Sequence, residues 1–273
     1  MLSLDICIGA LGSGAVAETI WRSRMKQAWW WILPVSVWVI YTADHLFDAW
    51  KLRGNAVNER HRFHHDHFAP LAILAACASV GALVGAFWYL RDLVIFGGLV
   101  VGALAALHVV IAFWGKLKIG KEFSVALIYT FGVWFAPIIN RGIHLNPFSV
   151  AAVLVFAIAA LQNLIMNSII ESDLDHAEGQ AFATAVFPHM ALRTFVLGTG
   201  LLAIFAVPAV WTIIPDGPAV TEATRFAATF ILILTAVPAG ILWFQRVPFL
   251  RRHYRPFAEW VFALGLVTLY FAE

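Results

Sequence analysis

The sequence predicts an all-α, polytopic membrane bundle of nine transmembrane helices, forming a single integral membrane domain over residues 1–273. Three observations carry this reading. The chain is 62% hydrophobic and 12% charged, with a mean hydropathy of +0.82, too apolar to be wrapped in a water-facing surface. Apolar runs long enough to cross a hydrocarbon layer, about 20 residues each, recur along its length. The interruptions between them are short and either charged or rich in Gly and Pro, so no sizeable soluble domain fits beside the spans.

Taken in order, the runs fall at 2–20, 28–48, 69–90, 92–113, 123–139, 148–170, 190–214, 225–244 and 256–272. The first is the least apolar, holding Asp5 and Glu18. It has no Lys or Arg before Arg22, which is the wrong pattern for a secretory leader, so it reads as a span. The third and fourth are divided only at Arg91 and Asp92, which requires a tight turn. Pro34, Pro137 and Pro208 lie inside spans and are expected to kink them. The segment GALGSG near the start is not a phosphate loop, because no strand precedes it. Cys7 and Cys77 sit far apart in apolar stretches and read as packing residues.

A formal charge of +2 gives no reason to expect a nucleic-acid partner. The distribution of charge is more informative. Twelve of the 18 Lys and Arg fall on one side of the nine-span topology: Lys51, Arg53, Arg60, Arg62, Lys116, Lys118, Lys121, Arg193, Arg246, Arg251, Arg252 and Arg255. Cytoplasmic loops collect cations, so the N-terminus is expected inside an inner, cytoplasmic membrane. Eight of the ten histidines, all but His108 and His144, fall on the same side, together with most acids away from the chain ends. The chemistry is therefore expected to face the cytoplasm. The basic cluster Arg251, Arg252 and Arg255 reads as an orientation signal or a lipid-headgroup contact.

Two acidic segments stand out on that side. The second span runs into YTADHLFDAWKL, where Asp44 and Asp48, four apart, stack on one helical face. Two like charges there need compensation. A divalent cation completed by substrate phosphate oxygens supplies it in the manner usual for magnesium, and a solvated helix end paired with Lys51 or Arg53 is the plainer alternative. The sixth span runs into NLIMNSIIESDLDHAEG, where Asn167, Glu171 and Asp175 form a stripe at i, i+4 and i+8. Facing carboxylates of this kind suit a diphosphate clamped through metal ions. Asp173 points roughly 200° from Glu171 on an ideal helix, and reads as a loop ligand if the helix has already unwound or as a salt-bridge partner for Lys116 or Lys118.

These segments resemble those of the UbiA superfamily of intramembrane prenyltransferases, which have nine helices and aspartate-rich motifs ending the second and sixth. The family's Asn, then acid-x-x-x-Asp, then Gly fall on Asn167, Glu171, Asp175 and Gly179. In the first motif His45 and Leu52 stand where the family has aspartates, which leaves a thinner metal site. The resemblance implies magnesium-dependent binding of an isoprenoid diphosphate and transfer of its prenyl group to an acceptor within the membrane lipid. Together with the stripe geometry it assigns Asp44 and Asp48 to one magnesium and Glu171 and Asp175 to another. The loop FWGKLKIGKEF resembles the family's lysine segment and would bring Lys116 or Lys118 to the diphosphate. The expected catalytic set is thus Asp44, Asp48, Asp175 and Lys116, with Asn167, Arg60, Arg62, Lys118 and Asp173 binding substrate.

His61, His64 and His65 spell HxxHH, a spacing also met in the histidine boxes of membrane di-iron oxygenases. Three readings stay open for them: hydrogen bonds to loop acids such as Glu59 and Asp66, a phosphate-facing role, and a metal site. The competing functions are a UbiA-type terpene cyclase without external acceptor, a histidine-ligated oxygenase, and a non-catalytic lipid-binding or transport protein.

Overall fold

In the computed structural model the structure describes residues 3–52, 57–114, 120–142, 146–178, 183–212 and 220–271, except the side chains of residues 113, 175, 251 and 252. Among these residues the fold is entirely helical. Seven helices are long and apolar enough to cross a membrane: α1 (Leu4–Trp21), α4 (Phe68–Tyr89), α5 (Asp92–Phe113), α6 (Lys121–Arg141), α7 (Pro147–Ala177), α9 (His189–Thr212) and α10 (Glu222–Trp243). The expected second span is a 24-residue helix, α2 (Trp29–Leu52). The expected ninth is α11 (Pro248–Ala263) continued by a 3₁₀ segment, Leu264–Phe271. Neither is among the seven: α11 is only 16 residues long before its 3₁₀ extension, and the Trp, Tyr and polar residues of α2 lower its hydropathy. Two short helices, α3 (Glu59–Asp66) and α8 (Ala183–Val186), lie between the long ones.

The weak first span has a structural reason. Helix α1 packs against α2, α6, α10, α11 and the 3₁₀ segment, and 67% of it is buried, the largest share among the seven. A helix enclosed by protein need not be uniformly apolar. Its small residues permit the closeness: a Cβ on Gly12 would lie 2.1 Å from the Phe262 carbonyl oxygen. The GALGSG segment is therefore a helix crossing. Further out, Val16, Ile20, Val133, Trp134, Phe156, Ile231 and Leu234 fill the centre among α1, α6, α7 and α10.

Other elements follow local signals. Leu90 and Arg91 are the whole connection between α4 and α5, as the tight turn required. Asn146 caps α7 by accepting the Ser149 N–H at 2.8 Å, with Pro147 in the first turn. At 31 residues, α7 is about 46 Å long and outruns a hydrocarbon layer of about 30 Å. Ile73, Phe87, Trp88, Phe96, Phe205 and Met190 point outward from α4, α5 and α9, fully consistent with lipid contact and not with water.

The two ends of the bundle separate as the cation count requires. At one end Arg91 donates to Asn140 Oδ1 at 3.1 Å, and Asn140 Nδ2 donates to the Arg24 carbonyl at 2.7 Å. At the other end Asp48, His61, Lys121 and Glu178 form one group of contacts and Glu171 and Arg255 a second, with Arg60 lining the same cavity.

Candidate functional site

A cavity of about 280 Å³ opens between α1, α2, α5, α6, α7 and α11 at the charged end. Each long helix contributes a stripe that changes character along its length. On α2 the lining runs Val37, Ile40, Tyr41, Asp44, His45, Asp48, apolar within and acidic at the end. On α7 it runs Ala160, Asn163, Leu164, Asn167, Ser168, Glu171, and on α6 from Gly132 and Ile128 out to Glu122 and Lys121. The result is a largely apolar chamber, with Asn163 and Glu259 as polar groups in its wall, and a polar, charged mouth.

Of the carboxylates expected from the two segments, Asp44, Asp48 and Glu171 share this mouth. Asp44, Asp48, Asn167 and Glu171 all line it, as does Arg60. Asp48 lies 4.0 Å from Lys121 Nζ and 3.9 Å from His61 Nε2. Glu171 accepts from Arg255 Nη1 at 2.8 Å and from the Tyr254 hydroxyl. The buried Oδ1 atoms of Asn163 and Asn167 have no hydrogen-bond partner. Such buried acceptors are costly to leave unmade and mark places where an occupant can supply a donor or a cation.

Two predicted residues stand elsewhere. Arg62 is exposed on α3 and does not line the cavity. Asp173 lines a separate pocket with Ser172, Arg246 and Tyr254, because α7 stays helical to Ala177 and keeps it turned from Glu171. The backbone of Asp175 is helical, and its side chain lies outside the described residues, as do Lys116 and Lys118 altogether. Lys121, four residues beyond the lysine pair's loop centre, is the lysine that the described structure brings to the acids.

His61 and His64 have other partners than Glu59 and Asp66, whereas His65 Nδ1 lies 3.6 Å from Asp66 Oδ1. Glu178, whose side chain is 1% exposed, accepts the Asn58 backbone N–H at 2.7 Å and His61 Nδ1–H at 2.7 Å. It thereby pins the start of α3 to the end of α7. His64 donates from Nδ1 to the Arg60 carbonyl at 2.8 Å. Burial, aided by the charges of Arg60 and His61 and opposed by that hydrogen bond, holds the His64 pKa below the usual imidazole value. His45, in place of a family aspartate, donates from Nδ1 to the Tyr41 carbonyl at 3.0 Å. Arg60 Nη1, which can only donate, reaches His45 Nε2 at 3.4 Å and the Tyr41 hydroxyl at 3.3 Å. His45 is accordingly the neutral support of an arginine at the cavity mouth. Among the described residues no three His, Cys, Asp or Glu side chains are grouped as a metal cage, and the HxxHH spacing assembles no box.

Several lining residues carry little sequence signal. Glu122 is buried and accepts from Ser168 Oγ at 2.8 Å and from the Ala183 N–H at 2.6 Å, tying α6, α7 and α8 together. Asn163 extends the Asn167–Glu171 stripe inward by one turn and hydrogen-bonds Glu259. Arg255 and Glu259, four apart on α11, both line the chamber, although their segment reads as a headgroup-binding basic cluster. The spacing of Arg255 and Glu259 was a usable clue, since a surface signal does not require an acid one turn deeper.

No family model, curated protein or solved structure matches this chain.

Proposed function

We propose that the protein is a magnesium-dependent transferase of the UbiA kind, with nine membrane-crossing helices counting α2 and α11 with its 3₁₀ extension. It takes an isoprenoid diphosphate with its headgroup at the charged mouth and its chain in the apolar chamber, and transfers the prenyl group to an acceptor. One observation carries the reading: a single cavity joins Asp44 and Asp48 of α2 to Asn167 and Glu171 of α7 at one end and an apolar lining at the other. A ligand with a polyanionic head and a hydrocarbon tail fits that gradient.

The donor set suits magnesium. Magnesium is usually held by one or two carboxylates with substrate phosphates and water, without a closed protein cage. Asp44 and Asp48 offer hard oxygen donors a turn apart, and the unpartnered Oδ1 of Asn167 adds a neutral one. Asp48, Asp44, Glu171 and Asp175 would hold the metal, which when bound neutralises charge building on the departing diphosphate. Arg60, Lys121 and Arg255 supply fixed positive charge toward the same oxygens. Tyr41, Tyr129 and Phe262 are the ring-bearing side chains of the wall, apart from the histidines, that face a cation formed from the chain. The mouth faces the cytoplasm of an inner membrane in this reading.

One observation favours a second reading, a non-catalytic lipid-binding protein. Asp48 already has Lys121 beside it and Glu171 already has Arg255, so both acids have protein counter-charges. The same experiment separates the two. Pyrophosphate release is measured from farnesyl, geranylgeranyl and longer diphosphates, with and without magnesium, for the natural protein, Asp48→Asn and Asp175→Asn. Transfer requires magnesium-dependent release, lost by at least about 100-fold in both variants at unchanged unfolding temperature. Binding without any release supports the lipid-binding reading, and full activity in both variants overturns the first.

A further inference from the structure

His108 is one of the two histidines left off the cation-rich side by the sequence, yet it is a wall residue of the cavity. It is 8% exposed, and its Nε2 is enclosed with no hydrogen-bond partner. Its Nδ1 lies 2.9 Å from Ser124 Oγ. That hydroxyl has one proton, which it directs within its own helix to the carbonyls of Gly120 at 2.9 Å and Lys121 at 3.0 Å. Assigning that proton to the carbonyls makes the hydroxyl an acceptor toward the imidazole and puts the ring's proton on Nδ1. In the neutral ring the proton on Nδ1 leaves a bare lone pair on Nε2. An enclosed, unpaired acceptor of this kind awaits a donor from whatever fills the cavity.

Its depth matters as much as its tautomer. On α6, Ser124 is one turn inward from Lys121, about 4.5 Å along the axis. Beyond it the lining is Val125, Ile128 and Gly132, and beyond His108 on α5 it is Ala105 and Val101. His108 thus marks the level where the charged mouth gives way to the apolar chamber. A prenyl diphosphate lying along the gradient has its reacting carbon, between headgroup and chain, at that level.

We propose that His108 Nε2 is the base that takes the proton of the acceptor, and that the acceptor attacks through a neutral O–H group, either water or an organic hydroxyl. The inference rests on the transferase reading and deepens it. The allylic carbon–oxygen bond breaks and its electron pair leaves with the diphosphate. A lone pair of the hydroxyl oxygen forms the new carbon–oxygen bond, and the hydroxyl proton passes to Nε2. No oxidant or reductant enters.

The test measures organic products per pyrophosphate released from geranylgeranyl diphosphate with magnesium, in heavy-oxygen water, with 1-octanol or phenol present or absent. The natural protein gives prenyl alcohol bearing heavy oxygen if water is the source, or the octyl or phenyl ether if an organic hydroxyl is. His108→Asn keeps an amide at the Ser124 contact and deletes the Nε2 position. In this variant oxygenated product per pyrophosphate falls by about 100-fold, the usual weight of a general base, with alkenes taking its place. Added imidazole restores the oxygenated product in His108→Ala. An unchanged product ratio in both variants overturns the role of His108, as does a natural product joined only through carbon. If the natural protein releases no pyrophosphate from any isoprenoid diphosphate, the transferase reading itself is what fails, and this inference falls with it.

Discussion

Replacing Glu178 tests how the mouth of the cavity is built. This carboxylate, 1% exposed, accepts two hydrogen bonds of 2.7 Å, from the Asn58 backbone N–H and from His61 Nδ1. Hydrogen bonds to a charged group contribute about 1.5–3 kcal/mol each, so Glu178→Ala removes about 3–6 kcal/mol of attachment between α3 and the end of α7. Glu178→Gln keeps one good acceptor and loses roughly half as much. A loss of about 3 kcal/mol raises the open population of α3 by about 150-fold. Arg62 is exposed on α3 and gives trypsin a cleavage point there. When opening is fast relative to cleavage, the cleavage rate follows that population. The expected order is therefore Glu178→Ala fastest, Glu178→Gln intermediate and the natural protein slowest. Glu59→Ala, which removes the loop acid adjacent in sequence, changes the rate by less than about threefold. Equal cleavage of Glu178→Ala and the natural protein would refute the reasoning, and a large effect at Glu59 would return the histidines to the loop acids.

Two further outcomes follow from packing and charge. Gly12→Ala places a Cβ 2.1 Å from the Phe262 carbonyl and costs about 1–3 kcal/mol or more by overpacking. Gly81→Ala meets nothing within 4 Å and is neutral or stabilises by up to about 1 kcal/mol; thermal unfolding in detergent compares them. His64 has its folded-state pKa lowered by burial. The unfolded chain, titrating near 6.5, binds its proton first as pH falls. Stability from this group is thus complete above about pH 6.5 and declines below it until the folded-state pKa is passed. His64→Asn flattens that part of the stability profile, read by chemical unfolding in micelles between about pH 7 and 5.

Helical periodicity and composition made the elements legible, because lipid leaves the backbone few alternatives to a helix. The i, i+4 stripes at Asp44 and Asp48 and at Asn167 and Glu171 mark the faces of α2 and α7 that line the cavity, since a continuous helix fixes that phase. The same logic kept Asp173 off the site, and α7 stays helical through it. What the stripes do not encode is which distant side chain meets them. Glu178 belongs to α3 as much as to α7, Arg255 reaches Glu171 across 84 positions, and the His108–Ser124 pair depends on the register between α5 and α6. Lys116 and Lys118 were favoured over Lys121 by resemblance, whereas Lys121 is distinguished by opening α6 beside Asp48. Small residues gave a similar lesson at Gly12, whose meaning is steric and visible only with Phe262 across from it.

The most direct measurement is calorimetric binding of a non-ionising farnesyl thiodiphosphate, with and without magnesium, to the natural protein, Asp48→Asn, Glu171→Gln and the double variant. If acids from α2 and α7 hold one headgroup together, binding is saturable and magnesium-dependent. Each single variant weakens it by at least about tenfold, and the double variant departs from additivity by more than about 0.5 kcal/mol. Magnesium-independent binding that both variants leave intact, or no binding at all, contradicts the shared site.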